Sequence, residues 1–366
     1  MPKSKRSHRP KRRTGHLGQK GNRTLGSTVA GSRRSEPRKR ADRAPLRVRY
    51  DLDQDVQLNK TRARRATRTR RRKGASARAK APVVFLYDQR AKPLREWDRG
   101  TQFLSTFAVS GFVSEQTPEG VVLPSRPSSV VLVGNPGSGK TELVERFKRC
   151  FWISYHNDLT VRPLLTLLRK AEAGTLTHLG ASEFNKYFQR KASVAEGTIG
   201  LLSGAMEEGI TQYSVGPTSM RFETPARLGL IAGCTPGTMS KRRELLAEMG
   251  FLSRACVFDW ALPRSERDEI LKRMNRGDPS DLEPIDLAIP PSGKRAIVKW
   301  NPAIGLPVQG YVRQHWPEND LRTFKRFKAL MLARAYLVGH SVVTDDEWEW
   351  LKSYDDYWSR MIVGDA

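Results

Sequence analysis

Gly134-Asn135-Pro136-Gly137-Ser138-Gly139-Lys140-Thr141 follows the apolar run Val130-Val131-Leu132-Val133 and opens an amphipathic stretch, and the reading of these eight residues decides the fold. Glycines at 134, 137 and 139 let the backbone turn tightly and aim successive N–H groups at one point, at the positive end of the helix that follows. Such a cradle suits a chain of phosphates. Lys140 supplies a cation for the β and γ phosphates, and the Thr141 hydroxyl a ligand for Mg²⁺. A chance glycine turn would lack the strand before it and the helix after it. The expected ligand is ATP with Mg²⁺, held by Gly134, Asn135, Pro136, Gly137, Ser138, Gly139, Lys140 and Thr141.

Outward from this loop, apolar strands alternate with helices. Strands are expected at 130–133, 151–155, 176–181, 226–232 and 255–260, and helices at 141–150, 161–173, 184–208, 239–249 and 265–276. That alternation predicts an α/β fold with a parallel sheet flanked by helices. Ahead of the fourth strand, 210–213, a turn around Gly216-Pro217 and 220–222 read as an inserted β-hairpin. Residues 83–87 read as a short strand, 95–112 as helical and 117–129 as a loop. The stretch 279–317 is rich in Pro and Gly and irregular, with a β-like run at 296–300. Helices over 318–338 and 345–362 close the chain, the second opened by a capping box at Thr344-Asp345-Asp346-Glu347.

Charge divides the sequence unevenly. Residues 1–80 hold 28 Lys/Arg against 5 Asp/Glu, so they carry +23 of the whole chain's +27, and Tyr50 is their single aromatic residue. So little apolar surface does not offset the entropy of ordering the backbone, and a disordered basic N-terminal tail is expected. Its dense runs, Lys11-Arg12-Arg13, 33–40 and 62–73, attract polyanions by releasing condensed counterions, and nucleic acid is the expected partner. A self-repelling tail that aids solubility is the alternative. A transit peptide fits less well, because apolar residues do not recur there at helical spacing. Cys150, Cys234 and Cys256 are widely spaced without a pairing framework, which suits reduced thiols in a cytoplasmic protein. No run approaches the ~18 to 20 consecutive apolar residues of a membrane span.

From about 126 to 360 the order of parts resembles the AAA+ ATPases, a P-loop NTPase family. The likeness is to the branch with a hairpin ahead of the sensor strand, which includes minichromosome maintenance helicases and magnesium chelatases. Ala205-Met206-Glu207-Glu208 followed by the hairpin is similar to the helicases' equivalent helix and pre-sensor hairpin. The resemblance implies that Thr235, ending the fourth core strand, is the polar sensor that orients the attacking water. It implies that Arg254, in Leu252-Ser253-Arg254, is an arginine finger offered to a neighbour's γ-phosphate, which in turn implies a homo-oligomeric ring. The terminal helices resemble the family's C-terminal helical lid, with Arg322 reporting γ-phosphate loss. A salt-bridged surface arginine at 254 and an exposed helix arginine at 322 are the plainer readings.

One part departs from that pattern. The family ends its third core strand with two adjacent acids, whereas this chain has Ser182-Glu183. Glu183 is then the candidate for metal or general-base duty, although an acid in the first turn of a helix is also favoured by the dipole. Asp158 and Glu207 could substitute if the fold brings them close. The expected site therefore has catalytic Lys140, Glu183, Thr235 and Arg254, nucleotide contacts from 134–141 and Arg322, and Mg²⁺ ligands Thr141 and Glu183.

The organisation implied is a tail over 1–80, an adaptor over 81–125, a nucleotide-binding core over 126–264 and a lid region over 265–366. An ATPase coupling turnover to nucleic-acid remodelling, loading or packaging fits best, and the plan is similar to predicted ATPases of phages and mobile elements. A nucleotide-gated scaffold with weak or no hydrolysis is one alternative. A small-molecule kinase is another, since the loop also resembles that of adenylate kinases, but the hairpin and two-helix lid argue against it. His178 reads as a satisfied core histidine, and no His/Cys cluster has metal-ligand spacing.

Overall fold

The computed structural model describes residues 95–215, 218–290 and 294–362; the basic tail 1–80, the strand expected at 83–87 and the turn at Gly216-Pro217 lie outside the described residues. The described chain opens with α1 (Glu96–Val109), which is buried on nearly every side. Its polar residues tolerate this because Thr101, Ser105 and Thr106 return their hydroxyl protons to the Trp97, Thr101 and Gln102 carbonyls at 2.8–3.0 Å. A 3-10 turn, Ser110–Phe112, leads into β1 (Val113–Gln116). The segment read as a loop contains a short antiparallel partner, β2 (Val122–Pro124), joined through Gly120 at φ 84°.

Next come β3 (Val130–Val133), α2 (Lys140–Glu145), β4 (Ile153–Tyr155), α3 (Val161–Glu172), β5 (His178–Ala181) and α4 (Ala192–Met206). The hairpin follows as β6 (Ile210–Val215) and β7 (Thr218–Ala226), then β8 (Gly229–Cys234), α5 (Pro236–Glu248), β9 (Cys256–Asp259) and α6 (Arg264–Asn275). Five strands form one all-parallel sheet in the order β4-β5-β8-β3-β9. Alternation along β3 builds a core on each face: Val130 and Leu132 join α1 on one side, Val131 and Val133 join α3 and α4 on the other. The α/β class and the flanked parallel sheet are as the sequence predicts.

Element boundaries differ in ways that packing explains. The helix expected over 141–150 is α-helical only to Glu145 and finishes as a 3-10 turn, Arg146–Arg149. The helix expected over 184–208 is a 3-10 segment, Phe184–Gln189, a break at 190–191, and then α4. Phe184, Tyr187 and Phe188 are buried at helical spacing, but Arg190 turns out of the helical path to pair with Asp158 at 2.8 Å. The fourth core strand starts at Gly229 rather than 226, because Ala226 still pairs with Ile210 at the foot of the hairpin.

Beyond α6, β10 (Ala296–Lys299) runs parallel to β1 and completes a second, three-stranded sheet, β10-β1-β2. The irregular stretch also holds a helix missed in the sequence, α7 (Pro302–His315). Asn301 caps it by accepting from Ala303 N at 3.1 Å, and Ile304, Val308 and Val312 form its buried stripe. Then come α8 (Asp320–Val338), α9 (Asp345–Lys352) and α10 (Asp355–Ile362). The capping box at Thr344 and Glu347 forms as expected, but 345–362 is two helices, parted where the Tyr354 hydroxyl donates to the Arg99 carbonyl at 3.1 Å. Phe327, Trp350, Tyr354 and Trp358 pack with Phe103 of α1 and Phe258 of β9. The helices assigned by sequence to a lid thus share one core with α1 and β9, and all described residues fall in one compact unit. Among them no helix is long and apolar enough to cross a membrane, and Cys150, Cys234 and Cys256 are free and buried.

Candidate functional site

The glycine loop lies at the C-terminal end of the parallel sheet, between β3 and α2. Gly137 and Gly139 adopt φ 74° and 78°, the left-handed region that side chains disfavour. Gly134 is needed for a different reason: a Cβ there would fall 2.1 Å from the Trp260 carbonyl oxygen. The loop is held from below and behind. Trp260 Nε1 donates to Ser138 O at 2.8 Å, Arg267 Nη1 to Gly137 O at 3.1 Å, and the ring of Trp97 lies under Gly139. Lys140 is buried, with Nζ donating to Asn135 O at 2.7 Å and Ser138 Oγ at 3.1 Å. Burial holds its ammonium below the ordinary lysine range, while Cys234 and Glu142 act the other way. Thr141 is half-buried at the start of α2, and Asn135, Pro136 and Gly137 are exposed.

Sheet order brings the ends of β5 and β8 to the same edge, because β8 lies between β3 and β5. Gly233 is their meeting point: a Cβ there would stand 2.7 Å from the Ser182 carbonyl oxygen and 3.6 Å from Lys140 Cβ. Ser182 is buried, with its hydroxyl 3.2 Å from Asn157 Oδ1 and 3.4 Å from Glu145 Oε1. Asn157 Oδ1 also accepts from Glu183 N at 3.0 Å, so one amide fixes the end of β5. The Glu183 carboxylate is half-exposed and paired with Lys186 at 2.7 Å. Thr235 follows β8 directly and caps α5, its Oγ1 accepting from Thr238 N at 3.4 Å and donating to Thr238 Oγ1 at 3.0 Å. Asp158 is turned away into its pair with Arg190.

Arg254 and Arg322 lie elsewhere. Arg254 comes two residues before β9, whose first residue donates from Cys256 N to Ser129 O at 2.8 Å, at the N-terminal end of the sheet. The strands are parallel and β3 and β9 are four residues long, so about 13 Å of strand separates that edge from the glycine loop. Arg322 sits beside Arg254, donating from Nη1 to Ser253 Oγ at 3.0 Å. Both arginines pair with Glu207 and Glu208, which follow α4. A cleft of about 400 Å³ opens there, lined also by Arg126, Lys325, Arg326 and Lys328. Within one chain, then, the structure gathers 134–141, Ser182, Glu183 and Thr235 at one edge and Arg254, Arg322 and Glu207 at the other.

The sequence reading gave no role to Asn157, and noted Ser182 only as the residue beside Glu183. Both are uncharged neighbours of the acids that attracted attention, and only the tertiary contact at the end of β5 marks them. His178 is fully buried: Nε2 donates to Ser128 O at 3.2 Å, so Nδ1 accepts from the Thr177 hydroxyl at 2.9 Å. Burial pushes its pKa down to about 4. Among the described residues no three or more His, Cys, Asp or Glu side chains gather to hold a metal. No family model and no curated protein matches the chain.

Proposed function

We propose that the chain is an ATPase of the AAA+ type that couples nucleotide turnover to work on nucleic acid. One observation carries the reading. The glycine loop, the Ser182-Glu183 end of β5 and the Thr235 end of β8 converge on one edge of a parallel sheet around Lys140. In this reading Lys140 exchanges the Asn135 carbonyl for β- and γ-phosphate oxygens, and the loop N–H groups bind the rest of the triphosphate. Thr141 would hold Mg²⁺, with Glu183 available for either metal or base duty, and the ion would supply charge neutralisation for the triphosphate. In base duty Glu183 takes a proton from a water whose oxygen attacks the γ-phosphorus, the bond to the ADP oxygen breaks, and ADP and inorganic phosphate leave. Thr235 orients that water, and Asn157 positions Glu183 through its backbone.

Arg254 and Arg322 cannot serve their own chain's loop from the opposite edge. They act on the nucleotide of a neighbouring subunit, so the active form is a homo-oligomer in which one edge meets the other. The tail, with +23 of the +27 net charge, anchors the assembly to nucleic acid, in keeping with a cytoplasmic protein with free thiols. Phosphate release from Mg²⁺-ATP, with and without DNA or RNA, tests the reading. Glu183→Gln is expected to bind ATP and lose turnover, and Lys140→Ala to lose both. ATP binding without any ADP release in the parent chain favours instead a nucleotide-gated scaffold, which the Glu183–Lys186 ion pair and the single acid support.

A further inference from the structure

The cluster opposite the glycine loop is two guanidiniums sharing two carboxylates. Arg254 Nη2 donates to Glu208 Oε1 at 2.8 Å, and its Nε stands 3.3 Å from Glu207 Oε2. Arg322 Nε stands 2.9 Å from that same Glu207 oxygen, and its Nη2 3.9 Å from Glu208 Oε1. A guanidinium fork that clasps a carboxylate is the fork that would clasp a phosphate, so both arginines are engaged inside their own chain. The engagement is exchangeable at one corner. The Glu208 side chain is 53% exposed, and ion pairs in contact with water are weak. The adjoining cleft stays electropositive: Arg126 and Lys325 line it, Arg326 is held by Ser253 O at 2.7 Å, and among the described residues Lys328 is offset by Glu115. A polyphosphate entering it meets more positive charge than the two carboxylates cancel.

We propose that Glu207 and Glu208 are a brake on the arginines: they hold Arg254 and Arg322 in cis, and the triphosphate of an adjoining subunit has to displace them before the composite site works. The inference rests on the proposed function and adds its regulation. The placement of the carboxylates gives the brake an input. Glu208 is followed by Gly209, at φ 84°, and then by β6, so both acids stand at the root of the hairpin. That root is tight, since a Cβ on Gly209 would fall 2.8 Å from Pro225 Cβ and 2.9 Å from Arg227 Cγ. A load that shifts the hairpin therefore shifts the carboxylates away from the arginines.

The test mixes two variants that are each inactive. Lys140→Ala keeps the arginines and lacks a working loop; Arg254→Ala with Arg322→Ala keeps the loop and lacks the arginines. Turnover in the mixture comes only from composite sites. Adding Glu208→Gln to the Lys140→Ala partner is expected to raise that turnover at least about threefold, whereas Glu208→Asp, which keeps the charge, leaves it at the parent rate. Glu208 lies at the surface, so the substitution spares the core, and Glu208→Ala provides a second variant with the same expected direction. An active parent mixture that is unchanged or slowed by both neutral substitutions overturns the brake and leaves the trans arrangement standing. A parent mixture with no turnover, made from partners that co-assemble, overturns the trans arrangement and the brake with it.

Discussion

The indole Nε1 of Trp260 donates to the Ser138 carbonyl oxygen at 2.8 Å, so the residue that follows β9, an edge strand of the sheet, also fixes the middle of the glycine loop. Trp260 is buried, and its own carbonyl fills the space that a side chain at Gly134 would need. Trp260→Phe keeps the ring and removes the donor, leaving the Ser138 carbonyl unpaired. An unmade hydrogen bond of this kind costs about 1–3 kcal/mol, and part of that falls on loop geometry. The expected outcome is an ATP dissociation constant raised about fivefold, read by calorimetry. Unchanged affinity in a variant of lowered thermal stability would show that the contact supports the fold alone.

Gly233 tests the meeting of β5 and β8. Alanine there places a Cβ 2.7 Å from the Ser182 carbonyl oxygen, a backbone atom that moves only with the strand. Gly233→Ala is expected to destabilise the chain by about 1–3 kcal/mol, the range for overpacking. Turnover should fall further than ATP affinity, since Ser182 and Glu183 move while the loop stays. Denaturant unfolding and a comparison of kcat with binding read the two effects, and equal losses in both would contradict the assignment.

His178 gives the fold a pH dependence of known sign. Its pKa falls from 6.5 to about 4 because burial penalises the imidazolium, only partly offset by the Ser128 carbonyl. The folded chain therefore binds fewer protons than the unfolded chain between those values. The stability that neutral His178 contributes is complete above about pH 6.5 and is lost as pH falls toward about 4, by at most about 3 kcal/mol. Unfolding midpoints of the parent and of His178→Gln, from about pH 7 to about pH 4.5, should converge as the pH drops. A constant gap would contradict the buried neutral histidine.

In the proposed reading Ser182 occupies the place where a second acid would stand. Ser182→Asp brings a carboxylate toward Glu145, whose Oε1 is 3.4 Å from the serine hydroxyl. Like charges at that range repel, so the variant is expected to unfold more readily in a chelator and to recover with Mg²⁺ and nucleotide. Turnover is expected to rise several-fold if the single acid limits it. A variant as stable in chelator as with Mg²⁺ would place the position outside the metal's reach.

What the sequence made legible was local. The glycine loop, the five core strands and the hairpin follow from turn chemistry and apolar periodicity, and each is present near its expected bounds. Helix α7 was hidden because Pro302, Gly305, Pro307 and Gly310 mask an ordinary stripe of Ile304, Val308 and Val312. The break ahead of α4 depends on Arg190 reaching Asp158, 32 residues away, and nothing in the local pattern encodes it. The site divides the same way. Lys140 and its loop could be read from spacing, whereas the grouping of Arg322 with Arg254 depends on which edge of the sheet each strand presents. Asn157 illustrates the limit, since an uncharged residue beside Asp158 gains its role only from the end of β5 folding against it.

The most direct measurement is steady-state phosphate release from Mg²⁺-ATP by the full chain and by Lys140→Ala, with and without duplex DNA at one fixed salt concentration. The expected result is turnover that DNA stimulates in the parent and that falls at least about 100-fold in Lys140→Ala, while DNA binding through the basic tail survives. Equal phosphate release by the two proteins would contradict the assignment of 134–141 as the phosphate cradle.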